Sequence, residues 1–274
     1  MNRTLAKRRS PVSSYTLKLI AVVSMLIDHT AQAIRPLLER DTYRMLRHVG
    51  RLAFPLFCFL LVEGLRHTHD RRKYLGALAV FALISEIPSD LFFRTWSARG
   101  EGMSIFATLT LGLLVLTATE AFAGECQRRD YGPVPAVLFF LAACSGSIYI
   151  AGLLHMEYDE WGVGLIYMIY FGEHLAFGAA ARMKNDRTAL LRRIGASVMI
   201  LIWLIAYDVE ADWWSEVYGI PVLLPILLYN GERGSYRVPK WFFYVLYPVH
   251  LFCWCCCASG CSGFEKGDRK IILQ

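Results

Sequence analysis

The sequence predicts an all-α, polytopic integral membrane bundle of about nine transmembrane helices. Hydrophobic residues fill 55% of the 274 positions and mean hydropathy is +0.38, more apolar than a soluble core requires. The apolar residues fall in runs about 20 long, enough to cross a hydrocarbon core about 30 Å thick. Most of the 29 Lys and Arg stand at the N-terminus and at alternate connections. That pattern fits membrane topology better than a single basic face for nucleic acid, so membrane lipid is an expected partner and nucleic acid is not. The bias puts the N-terminus in the cytoplasm and the C-terminus outside.

Residues 1–14 read as a polar cytoplasmic segment, 15–258 as the membrane domain and 259–274 as a short tail. No cleavable signal precedes the first span, so that span is expected to remain as an anchor. Span one covers about 15–34 and span two about 45–65, the latter carrying Arg47, His48, Arg51 and Glu63. The basic loop RHTHDRRK leads to span three, YLGALAVFALISEIPSDLFF, with Glu86, Pro88 and Asp90 near its far end. Span four runs from Met103 to about Ala123. Span five follows Pro133 and Pro135, reaches about Leu154, and is weakened by Gly146 and Gly152. Span six, WGVGLIYMIYFGEHLAFGAA, holds Glu173 and His174; span seven, about 194–207, is short. Span eight runs from about 217 to Tyr229 and the last is WFFYVLYPVHLFCWCCC.

Ionisable groups in hydrocarbon cost roughly 2.5–3.5 kcal/mol each on the insertion scale, so those inside spans mark candidate chemistry. Asp28 and His29 lie deep in span one, and His250 lies in the last span beside Pro248. Histidine suits proton abstraction near neutral pH, and a carboxylate can orient its ring. His29 is therefore the candidate base and His250 an alternative base. Asp28, Glu86 or Asp90 would orient His29 or the acceptor, although adjacent residues on a helix point about 100° apart and Asp28 can serve another group instead. Interhelical hydrogen bonding is the competing explanation for each. Arg51, Glu63, Glu86, Asp90 and Tyr247 are candidate substrate contacts, with pairing of Arg51 to Glu86 or Asp90 an equal alternative. Near the inner face Lys18, Lys73, Arg237 and Lys240, with Tyr229 and Asn230, could hold a phosphorylated cofactor.

Five of the eight cysteines crowd the end of the last span, without zinc-type spacing or a nearby His, so no metal is predicted. No phosphate loop, dinucleotide fingerprint, zinc-protease helix or nucleophile elbow is present.

The stretches LKLIAVVSMLIDHTA, HVGRLAFPLFCFLLVEGLRHT, KYLGALAVFALISEIPSDLFF, PVLLPILLYNGERG and KWFFYVLYPVHL resemble the TraX family. The likeness covers roughly 17 to 251. Its namesake acetylates the N-terminus of F-type pilin in the bacterial inner membrane. Where the family pattern opens span four with an Asn-Phe-Phe-Thr-like run, this chain has Ser104 to Thr108. The first span also resembles that of the broader membrane acyltransferase group, which places a cation and a His with ten residues between them, here Lys18 and His29. On a helix that separation is about 16 Å.

The resemblance implies a multi-pass inner-membrane acetyltransferase using acetyl-CoA. The acceptor would be an amine or hydroxyl on an exported, pilin-like peptide or a cell-surface glycan. A secondary transporter would show an internal repeat, which is not evident. A non-catalytic pilus or secretion assembly factor would use the same charges for packing.

Overall fold

The computed structural model describes residues 12–96, 102–182, 188–211, 215–235, 238–239 and 241–260. Its helices are α1 (Ser14–Ala33), α2 (Arg40–Gly50), α3 (Ala53–His67), α4 (Arg71–Trp96), α5 (Ile105–Arg128), α6 (Val134–Leu153), α7 (Asp159–Arg182), α8 (Thr188–Ala211), α9 (Leu223–Leu228) and α10 (Trp241–Gly260). A 3-10 stretch, Glu216–Val222, leads directly into α9. No strand occurs among the described residues.

Local chemistry sets the helix starts. Ser13 caps α1: its hydroxyl accepts the Thr16 N–H at 3.3 Å while the Ser13 N–H reaches Thr16 Oγ1 at 3.4 Å, satisfying donors that a helix start leaves open. Asp70 does the same for α4 by accepting the Lys73 N–H at 3.0 Å. Pro135 sits in the first turn of α6, where a missing N–H costs nothing.

By length and apolarity, residues 40–67, 71–96, 105–128, 134–153 and 188–211 can each cross a membrane. The predicted weak points resolve differently from the sequence reading. Span five is continuous through Gly146 and Gly152, because in hydrocarbon the backbone has no partner except itself. Span seven lengthens to the 24 residues of α8, which include Arg192, Arg193 and Asp208 at its ends. Span two divides at Arg51 and Leu52 into a polar α2 and an apolar α3.

Span eight is the 3-10 stretch plus α9, only 13 residues, yet it traverses the bundle. At one end Glu216 meets Arg51 and Asp208; at the other, Tyr229 meets Glu63 and pairs with Val12. A 3-10 helix rises about 2.0 Å per residue against about 1.5 Å for an α-helix. The segment therefore covers roughly 23 Å.

Packing is tightest between α7 and α8, where Gly172 and Gly195 face each other: a Cβ on Gly172 would stand 2.6 Å from the Gly195 carbonyl oxygen. Trp203, Phe59 and Phe92 fill the interior. The outward faces are apolar instead of polar, as with Leu83, Ile84 and Ile87 on α4 and Val137, Leu138 and Leu141 on α6. A lipid-facing surface has that character. For the site, the important contacts are those of α10 with α4 and α1.

Candidate active site

His29 on α1 and His250 on α10 are both buried and share a 2.7 Å hydrogen bond between His29 Nδ1 and His250 Nε2. The ring planes differ by 11° with centroids 5.0 Å apart. That separation is the nitrogen–nitrogen distance plus one ring radius at each side, so the rings meet edge to edge, not face to face. His250 Nδ1 lies 2.8 Å from the Leu246 carbonyl oxygen.

The proton positions follow from the partners. A carbonyl can only accept, so His250 Nδ1 carries the hydrogen and, in the neutral ring, Nε2 is the acceptor. His29 Nδ1 must then donate, which leaves His29 Nε2 as an unprotonated lone pair. No hydrogen bond to that nitrogen is found among the described residues. The dyad thus presents one fixed base, oriented by a second imidazole that is itself anchored on the backbone.

Aromatic rings enclose it. The His29 ring lies 5.3 Å from Phe92, 5.9 Å from Phe93 and 6.1 Å from Tyr247. The Tyr247 hydroxyl is 3.5 Å from Ser89 Oγ. His29 and His250 are each 8% exposed.

Asp28 does not orient His29. Adjacent positions on a helix point about 100° apart, and Asp28 turns instead to Arg47 (2.5 Å), Arg51 (3.7 Å) and the Gln32 amide (3.0 Å). Gly50 packs directly on it, and any Cβ there would strike the carboxylate. Arg51 donates to Glu216 at 2.5 Å and reaches the Tyr158 hydroxyl at 3.5 Å. The expected pairing of Arg51 with Glu86 or Asp90 does not form. Glu86 accepts the Ser104 N–H at 3.2 Å, and Asp90 lies 3.8 Å from Arg94 on its own helix.

A family model described as TraX protein matches residues 13–257. The chain belongs to the TraX family. The probable fimbrial assembly protein FimC, serogroup H1, of Dichelobacter nodosus is 30% identical over 257 residues, covering 90% of this chain and 96% of that protein. No solved structure matches. The TraX match spans α1 through most of α10, so both histidines lie inside it.

The remaining predicted residues of this TraX-family chain lie towards the other end of the bundle. Lys18 is half-buried, its ammonium 5.9 Å from the Phe243 ring centroid. Glu63 is buried among Arg66 (2.5 Å), His67 (2.9 Å) and the Tyr229 hydroxyl (3.0 Å), which separates it from the histidines and groups it with the cofactor candidates. Arg66 also holds Glu173 at 2.8 Å. Asn230 closes a local turn by accepting the Glu232 N–H at 2.8 Å. Lys73 is exposed and pairs with Asp70 at 3.3 Å, so it stands outside any enclosed site. Lys240 and Arg237 lie outside the described residues.

Two acidic residues were missed. Asp208, fully buried, accepts the N–H groups of Ser215, Glu216 and Val217 at 3.2, 2.9 and 2.7 Å. It thereby starts the 3-10 stretch, and Glu216 neutralises Arg51. The usable signal was a connection rich in acid, DVEADWWSE, placed on the same side as the two arginines of span two.

Proposed function

We propose that this TraX-family protein is a membrane acyltransferase that moves an acetyl group from acetyl-CoA to an amine or hydroxyl of an exported acceptor. The observation that carries the reading is the His29–His250 dyad, which leaves a lone pair on His29 Nε2 inside an aromatic enclosure. The name of the Dichelobacter relative, a probable fimbrial assembly protein, favours a pilin-like peptide over a surface glycan. The N-terminus is taken as cytoplasmic in a bacterial inner membrane, following the charge bias.

In this reading Lys18, with Tyr229 and Asn230 at the same end, receives the phosphate-bearing part of acetyl-CoA, and the thioester reaches along α1 towards His29. His29 Nε2 takes a proton from the acceptor as its nitrogen or oxygen attacks the thioester carbon. A bond forms from acceptor to carbon, the carbon–sulfur bond breaks, and the thiolate leaves with the proton that His29 held. His250 keeps the His29 ring in the productive tautomer and spreads its charge.

Purified protein supplied with acetyl-CoA and a peptide amine tests this. His29→Gln is expected to lower the rate about 10²–10⁴-fold, the usual contribution of a general base. His250→Ala is expected to lower it less, because orientation is lost but the base remains. Unchanged transfer in both variants would refute the assignment. Absence of acetyl-CoA binding by wild type would favour the second reading, a non-catalytic assembly factor, which the relative's name equally supports.

A further inference from the structure

The N-terminus of α5 stands beside the dyad with an unusual complement of hydroxyls. Ser104 caps this 24-residue helix, yet its side chain makes no capping hydrogen bond. Its Oγ is fully buried without a partner, as is Ser85 Oγ on α4. Ser89, one turn after Ser85 on the same face of α4, lies 3.5 Å from the Tyr247 hydroxyl. The Tyr247 ring packs 5.4 Å from Phe106, 5.7 Å from His250 and 6.1 Å from His29. A buried hydroxyl without a partner is costly, and Ser104 Oγ is one at this helix start.

We infer that Tyr247, held at the start of α5, donates a hydrogen bond to the thioester carbonyl oxygen and stabilises the charge that forms there. The inference rests on the acyl-transfer reading above and adds a second catalytic group to it. The Tyr247 hydroxyl has Ser89 Oγ 3.5 Å away, at the outer limit of a hydrogen bond, so its hydrogen can be given to a substrate oxygen instead. When the acceptor attacks, the carbonyl π pair moves onto oxygen. Tyr247 holds that oxyanion, and the pair returns as the carbon–sulfur bond breaks. Ser104 and Ser85 carry further unpartnered hydroxyls. Nucleophile activation and oxyanion stabilisation are thus delivered from the α1–α10 dyad and the α5–α10 contact respectively.

Tyr247→Phe keeps the ring and removes only the hydroxyl. Expected is a fall in kcat of about 10²–10³-fold, the loss usual for one oxyanion donor, with little change in KM for acetyl-CoA and a melting temperature like wild type. The direct test binds acetyl-CoA, 13C-labelled at the carbonyl, to the His29→Gln protein and records the carbonyl stretch. A shift to lower frequency that Tyr247→Phe abolishes supports the inference. Binding with a stretch that Tyr247→Phe leaves unchanged overturns it while leaving acyl transfer intact. No binding of acetyl-CoA to wild type overturns both.

Discussion

Replacing Arg51 separates a structural clamp from a substrate contact. Arg51 and Glu216 meet at 2.5 Å with side chains 13% and 2% exposed, and Glu216 Oε2 already lacks a hydrogen-bond partner. Arg51→Met would strand Glu216 as an uncompensated buried charge, which typically costs about 3–5 kcal/mol. At about 2–4 °C per kcal/mol for a chain of this size, the melting temperature in detergent should fall by roughly 6–20 °C. Glu216→Leu leaves the guanidinium with Asp28, at 3.7 Å, as its remaining carboxylate and should cost less. Arg51→Met combined with Glu216→Leu removes both charges and should recover much of the loss, so the double-mutant cycle gives a large coupling. The measurement is thermal unfolding of the four proteins, with acceptor KM recorded alongside. Arg51→Met melting within about 2 °C of wild type while acceptor KM rises sharply would refute the clamp and restore Arg51 as a substrate contact.

Three further outcomes are expected. Gly195→Leu puts a side chain into the Gly172 carbonyl; forcing α7 from α8 should cost about 1–3 kcal/mol or more, read as a lower melting temperature. Asp70→Ala should lower stability at neutral pH, because the Lys73 N–H and ammonium hold the Asp70 carboxyl below its usual pKa. Such a contribution is present above the unfolded carboxylate pKa and is lost as pH falls through the lowered folded value, so wild type and variant should converge in strong acid. Finally, Cys253, Cys256 and Cys257 are exposed on α10 while Cys58, Cys126 and Cys144 are buried. A membrane-impermeant maleimide should label the α10 thiols from the periplasmic side of intact cells, and labelling only in inverted vesicles would reverse the orientation.

Five long apolar helices were legible from their hydropathy, and the two histidines because an ionisable residue in an apolar run of about 20 is conspicuous. The chemistry between them was not. His29 and His250 are 221 residues apart, and hydropathy says nothing about which helices touch. Asp28, next to His29 in sequence, looked like its partner; helical geometry sends it to Arg47 instead. Glu216 and Asp208 escaped notice for the opposite reason, since an acid in a connection carries no anomaly until the buried arginine opposite it is known. The length of span seven was misread because the charged residues at its two ends were trimmed away, although side chains at a span's ends can reach the interface. The 3-10 character of span eight left only Pro221 and Pro225 as hints, and prolines alone do not distinguish a kinked helix from a stretched one.

That stretched crossing also fixes how the protein sits in lipid. Its rise of roughly 23 Å falls short of a hydrocarbon layer of about 30 Å by several ångströms. Ile220, Leu224, Leu227 and Leu228 nevertheless point outward along it. A bilayer that thins around this one side would do so at a fraction of a kcal/mol for each ångström of mismatch. Acyl-chain length in the surrounding membrane therefore bears on this flank more than on the flank built by α4 and α6.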